Sequence, residues 1–172
     1  MKQRGYSLIE VLIALAITSI VLLTVVTLFY MGRRNVYSGK QMTYAVSTGT
    51  RALEDVSQMT LQDVLDAFGI SATDALPTGN FCTVNGVPYT NSAWYNTDQP
   101  TPPALLTTWQ SMTTNLTNPT VGVILTPRAL ASDPQTWGTA TFMRMRIYIQ
   151  WDEAANRRRI AFFDTTKINR QQ

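Results

Sequence analysis

The chain changes its hydrophobic pattern once, near its first third. Residues 11–31 (VLIALAITSIVLLTVVTLFYM) hold no charge and no proline. As a helix at 1.5 Å per residue they span about 31 Å, the thickness of a bilayer's hydrocarbon core. Lys2 and Arg4 precede this run, and Arg33 and Arg34 follow it. Past the arginines the helical period persists but becomes one-sided. Met42, Ala45, Val46, Gly49, Ala52, Leu53 and Val56 recur at three- and four-residue steps, while Lys40, Gln41, Ser47, Thr48, Arg51 and Asp55 fill the other face. No proline falls between Tyr6 and Pro77. The two patterns together predict one helix over 7–58, roughly 78 Å long, apolar all round at first and half-buried later. Only Gly32, Gly39 and Gly49 weaken it.

The remainder reads as short elements. Thr60 followed by Asp63 makes a helix start, and Gly69 a stop. Residues 70–103 are rich in proline and glycine and read as loop, with one short hairpin where Asn85-Gly86 joins 81–84 to 87–89; Pro88 puts that hairpin at an edge. A helix is predicted over 104–115, although its threonines disfavour it. The run 121–125 is β-branched and stops short of Pro127. Residues 139–151 alternate, with Met143, Met145, Ile147, Ile149 and Trp151 on one side and Arg144, Arg146, Tyr148 and Gln150 on the other. A turn over 152–156 returns the chain along 158–165, with Ile160 and Phe162 sharing a face. The economical solution is α+β: a three- or four-stranded antiparallel sheet packed on the second half of the long helix.

Composition excludes more than it proposes. The 172 residues have room for one domain beyond the apolar run, and with 45% of them apolar they can bury a core. There is no histidine and one cysteine, Cys82, so Ser-His and Cys-His nucleophiles, the usual zinc sets and an internal disulfide are all ruled out. Cys82 reads as a buried or semi-buried thiol. The glycines form no phosphate-binding pattern. No cofactor or metal is expected, and the carboxylate pairs Asp63/Asp66 and Asp152/Glu153 have nothing converging on them that would make an enzyme. The formal charge is +3 from 14 basic and 11 acidic residues; without Lys2 and Arg4 it is 12 against 11, or +1. Arg144, Arg146, Arg157, Arg158, Arg159, Lys167 and Arg170 make the C-terminal region basic, which a DNA-capturing surface would need. Asp152, Glu153 and Asp164 are interleaved with them, which favours a solvated sheet face with cross-strand pairs and makes a nucleic-acid partner unexpected.

The start of the apolar run carries the functional signal. A secretory signal would have a core of about 7–15 residues and a small-residue cut after it, whereas this core is longer and ends in Phe29-Tyr30-Met31-Gly32-Arg33-Arg34. A plain membrane anchor fits the length but gives no role to Gly5 or to Glu10, a carboxylate set at the threshold of the run. The stretch Gly5-Tyr6-Ser7-Leu8-Ile9-Glu10-Val11 resembles the prepilin signal of type IV pilins and type II secretion pseudopilins, matching that family's Gly-Phe-Thr-Leu-Ile-Glu at Gly5, Leu8, Ile9 and Glu10. Tyr6 and Ser7 are conservative departures. The resemblance covers about the first 35 residues.

That resemblance implies a leader, residues 1–5, removed by a prepilin peptidase between Gly5 and Tyr6, and N-methylation of the new N-terminal Tyr6. It implies a transmembrane and filament-core helix half over 6–32 and a globular head over 33–172. In the family the glutamate pairs with the N-terminal amine of a neighbouring subunit, so Glu10 and Tyr6 would form the assembly charge pair. Such pairing offsets the desolvation that an unpaired charge would keep incurring. Glu10 paired with the amine of its own chain is the other arrangement, suited to a subunit stored in the membrane.

The expected partners are other pilins or pseudopilins, the peptidase and an inner-membrane assembly platform. The expected location is the bacterial inner membrane, single-pass with the head in the periplasm, and then the filament. Many major pilins carry a proline in the apolar half, where this chain has Thr24 and Thr27 at the candidate positions. That departure points to a minor pilin that primes or caps a type IV pilus, with a minor pseudopilin of type II secretion as the alternative. A membrane-anchored periplasmic binding domain, DNA-binding in one form, is the alternative of another class.

Overall fold

The computed structural model describes residues 7–154 and 157–169. These fall into two compact units that divide after Lys40. The order of elements is α1 (Leu8–Gln58), α2 (Leu61–Ala67), β1 (Asn80–Val84), β2 (Val87–Thr90), β3 (Ala93–Asn96), α3 (Ala104–Ser111), β4 (Thr120–Arg128), a short 3-10 turn (Trp137–Thr139), β5 (Phe142–Ala154) and β6 (Arg157–Ile168). The α+β expectation holds: the later stretch of α1 packs on an antiparallel sheet of order β3-β4-β5-β6, and β1 and β2 form a separate hairpin.

α1 is an unbroken helix of 51 residues. In the second unit its inward face is Gln41, Ala45, Thr48, Gly49, Ala52 and Val56. The buried stripe is therefore rotated from the expected one. Met42 and Val46 lie exposed, and the buried Gln41 and Thr48 each reach a polar partner: Gln41 Nε2 donates to Thr117 Oγ1 (3.4 Å) and Thr48 Oγ1 to the carbonyl of Met112 (3.4 Å), while Gln41 Oε1 is buried with no hydrogen-bond partner among the described residues. Small residues on that face let the helix lie close to the sheet. A Cβ at Gly49 would fall within the ring of Phe163 on β6, so the glycine is required by packing and not by the backbone. The last turn of α1 has no basic residue of its own. Lys167 of β6 supplies one, donating from Nζ to the carbonyls of Ser57 (2.9 Å) and Met59 (2.7 Å), where the helix leaves acceptors unfilled and its dipole is negative. Thr60 then starts α2 with a capping box to Asp63.

The inner face of the sheet presents Val121, Val123 and Leu125 from β4, and Met143, Met145, Ile147, Ile149 and Trp151 from β5, all in one core with Val64, Leu65, Leu106 and Trp109. Trp109 is wholly buried, and its ring N–H donates to Asp55 Oδ2 of α1 (2.9 Å), tying α3 to the helix. The outer face is not bare. Ile124 and Tyr148 form a second cluster with Val84, and Cys82 and Tyr89 of the hairpin pack on it. Ile160 and Phe162 both lie on this outer side, opposite Gln150 and Tyr148, while Ala161 and Phe163 face inward. Gly122 and Tyr148 are direct cross-strand partners, and a Cβ on Gly122 would overlap the Tyr148 ring. That ring covers the glycine, and its hydroxyl accepts from Trp94 Nε1 (2.9 Å).

Several boundaries differ from the sequence reading. β3 lies in a stretch that reads as loop, because four residues among prolines give too short a period to detect. β4 runs through Pro127 because its pairing with β3 ends at Leu125, so no strand there needs the missing N–H. α3 stops at Ser111, since Thr107 and Thr108 hydrogen-bond back to Ala104 and Thr113 to Gln110 in place of extending the helix. β5 starts at Phe142 and continues to Ala154, and β6 extends to Ile168. Of the turn expected over 152–156, residues 152–154 instead continue β5 and pair with β6, while 155–156, like Arg170, lie outside the described residues.

Two outcomes follow. Trp109→Ala removes the largest fully buried side chain and leaves Asp55 without its donor; denaturant unfolding of the head is expected to show a loss of about 3–5 kcal/mol. Asp164 is held below the usual carboxylate range, chiefly by its hydrogen bonds from Arg146. Its contribution is complete above the unfolded carboxylate value of about 3.9 and is lost as pH falls through the lower folded value. Arg146→Gln is therefore expected to lower the melting temperature near neutrality and to approach the wild type at low pH. The acid limb of a stability-against-pH curve, read from thermal melts, becomes flatter.

Candidate assembly segment

The candidate site is built on the first unit. Its described residues are helical from Leu8, and the first turn closes on Ser7, whose carbonyl accepts from the amides of Glu10 (2.9 Å) and Val11 (3.2 Å). Large apolar side chains cover this helix on every side and all are exposed, from Leu8 to Met31. Such a surface is unsuited to water and suited to hydrocarbon or to other helices. By length and composition α1 is able to cross a membrane.

Within that surface the aliphatic hydroxyls are dealt with locally. Thr18, Ser19, Thr24 and Thr27 each donate to the carbonyl four residues earlier, at 2.7–2.9 Å. No hydroxyl among these four needs a partner from outside the helix, which lowers its cost in an apolar medium. Glu10 is the exception. Among the described residues no side chain hydrogen-bonds its carboxylate, which lies beside a shallow groove of about 440 Å³ lined by Val11, Ala14, Leu15 and Thr18. Gly5 and Tyr6, the other residues expected at this site, lie outside the described residues, so their placement beside Glu10 is not described.

A second groove goes beyond the sequence reading. Gly32 has no atom within 4 Å of the position a Cβ would take, and it opens a notch of about 720 Å³ between Phe29 and Val36, with Val25, Leu28 and Tyr37 around it. A glycine flanked by bulky residues three and four positions away is the signal in the sequence that could have found it.

Four arginines of β5 and β6 are paired with carboxylates. Arg146 holds Asp164 with two short bonds (2.7 and 2.8 Å), donates to the Tyr89 hydroxyl (2.9 Å), and lies over the rings of Tyr89 and Phe162 at 5.7 and 5.4 Å. Arg144 also reaches Asp164, Arg158 reaches Asp152, and Arg159 reaches Glu153. The cross-strand pairing expected of a solvated face is thus present. Burial pushes the Cys82 thiol up, away from reactive thiolate, and the residue is half-buried as expected. No cluster of three or more metal-ligating side chains occurs among the described residues.

Residues 1–26 match the family described as the prokaryotic N-terminal methylation motif. The N-terminus carries a prepilin-type methylation motif. This is the stretch on which the resemblance to type IV pilins and pseudopilins rests, and the long helix on an antiparallel sheet is pilin-like in architecture. The motif supports the pilin or pseudopilin class, which is structural rather than catalytic, and implies processing by a prepilin peptidase and assembly with other pilins. With the apolar helix it points to membrane anchoring. No curated protein and no solved structure matches the chain.

Proposed function

We propose that the chain is a minor, non-enzymatic subunit of a type IV pilus that primes or caps the filament. The carrying observation is the methylation motif at the head of an unbroken apolar helix. In this reading residues 1–5 are a leader, 6–32 the transmembrane and filament-core half, and 33–172 the head. The peptidase cuts between Gly5 and Tyr6, and Tyr6 is N-methylated. The subunit waits in the inner membrane with its head in the periplasm until the assembly platform takes it into the filament. The freed amine at Tyr6 provides the cation that Glu10 lacks among the described residues. The minor role is supported by a helix without proline through the whole apolar run, a departure from many major pilins. A minor pseudopilin of type II secretion uses the same machinery and is the second reading, while the ion-paired head gives little support to a DNA-binding anchor domain.

Coexpression with a prepilin peptidase should shorten the chain by its first five residues, and Gly5→Val should abolish the cut; mass spectrometry reads both. An uncut wild-type chain would sink the reading. Glu10→Val is expected to leave the protein in the membrane fraction and to exclude it from sheared filaments. Normal incorporation of that variant would show that the charge pair is dispensable.

A further inference from the structure

β6 is the outermost strand of the four-stranded sheet, and among the described residues it pairs only with β5. At 12 residues it is far longer than β3, the four-residue strand at the opposite edge. A long open edge offers a row of unpaired N–H and C=O groups, which proteins usually blunt with charge, proline, a bulge or brevity. Here the basic charge is densest at one end. Arg157, Arg158 and Arg159 begin the strand, Arg158 and Arg159 being paired with Asp152 and Glu153 while their side chains stay about half exposed, and farther along Asp164 and Lys167 are engaged within the molecule.

Two further features lie along the opposite end of the strand. On the outer face Phe142 and Ile168 are cross-strand partners and both are exposed, at 41% and 67%. A cavity of about 560 Å³ adjoins the same end, lined by Met59, Leu61 and Leu65 and by the consecutive residues 166–169. Side chains of consecutive strand residues point to opposite faces. A cavity that touches all of them therefore meets the strand along its edge.

We propose that this edge accepts an extended segment of another protein as an added antiparallel strand. Main-chain hydrogen bonds to β6 would hold it, and its alternate side chains would fall beside Ile168 on one face and into the cavity on the other, the division of labour seen in strand addition generally. The charge at this end sets the chemistry of the partner: apolar and β-branched in the half that lies along 160–168, acidic in the half that meets Arg157, which has no ion-pair partner among the described residues, and Arg158, whose exposed pair with Asp152 is weak. A second copy of the chain is a poor occupant. Full-length antiparallel pairing of two β6 strands sets Arg158 opposite Lys167 twice, and like charges directly opposite are unfavourable.

The test uses the full-length uncut chain in nanodiscs, so it does not depend on leader processing or filament entry. The probe is a synthetic peptide, Thr-Val-Thr-Val-Tyr-Val-Thr-Asp-Glu-Asp, with a counterpart ending in Lys-Arg-Lys. Amide hydrogen exchange should slow in β6 when the acidic-ended peptide is added, and that peptide should bind about tenfold more tightly than the basic-ended one, as expected of several exposed charge pairs together. Arg157→Glu should cut the preference by about two- to fivefold. Ile168→Lys, at an exposed position that leaves the core intact, should weaken both peptides. The proposal is overturned by absence of protection in β6, by protection elsewhere, by equal affinity for the two peptides, or by β6 protection that rises with the chain's own concentration without peptide.

Discussion

One helix has to satisfy two environments, and the rest of the structure follows from how its composition is divided. Over its N-terminal stretch α1 is apolar on all sides, so nothing there specifies a rotational orientation against a core. Over its C-terminal stretch a single face must meet a sheet, and that face is made of small residues and two buried polar ones. The small residues set the depth of contact: Gly49 makes room for Phe163, and Ala45 and Ala52 leave the sheet to supply the bulk. Had the stripe been leucines, the helix would sit farther from the sheet and the methionines of β5 would lose their close packing. The polar members, Gln41 and Thr48, work the other way. Each has a partner in the segment after α3, and this fixes the rotation of the helix more specifically than alanines alone could.

The sheet answers the same constraint from the other side. Its inner face is committed to α1, α2 and α3, and its outer face would be left to water if the hairpin did not cover some of it. Tyr148 organises that cover. Its ring fills the space over Gly122, its hydroxyl accepts from Trp94, and burial raises the hydroxyl above its ordinary value, so it stays a neutral partner at any physiological pH. Arg146 continues the layer outward. Its place over the rings of Tyr89 and Phe162 joins hairpin and sheet through a group that is charged but fully engaged. The basic look of this strand in the sequence therefore reflects charges that are mostly balanced within the head.

How much was legible in the sequence depended on how many constraints acted on each stretch. The boundaries of α1 came within a residue, because a long period without proline leaves few alternatives. β5 and β6 were visible from alternation. The hairpin at Asn85-Gly86 was visible from turn chemistry, and both of its turn residues do adopt positive φ. What was missed depended on tertiary partners. β3 exists because β4 has an open side, Pro127 is tolerated because β3 ends before it, and the buried face of α1 is rotated because Thr117 and Met112 lie opposite Gln41 and Thr48. None of these can be read from a local window. The N-terminal methylation motif was legible for the opposite reason. Its chemistry is local and severe, and a carboxylate beside an unbroken apolar run has few explanations.

The treatment of polar groups in that segment sharpens the point. Four aliphatic hydroxyls lie in the apolar run, and each is closed onto its own helix, so that insertion into hydrocarbon leaves none of the four without a partner. If the segment were only an anchor, the same economy would apply to the remaining polar group, and a leucine at position 10 would be the better residue. A glutamate cannot be closed in that way, because a carboxylate's cost in an apolar medium is relieved by a cation or by protonation and not by a backbone carbonyl. Among the described residues Glu10 is therefore the charged group at the threshold of the run whose needs must be met from elsewhere. Such a group distinguishes correct from incorrect neighbours far better than apolar contact does, since a misplaced helix gains nearly the same packing but leaves the charge alone. In the proposed reading, Glu10 would contribute little to holding the chain in a membrane and much to selecting what it assembles with.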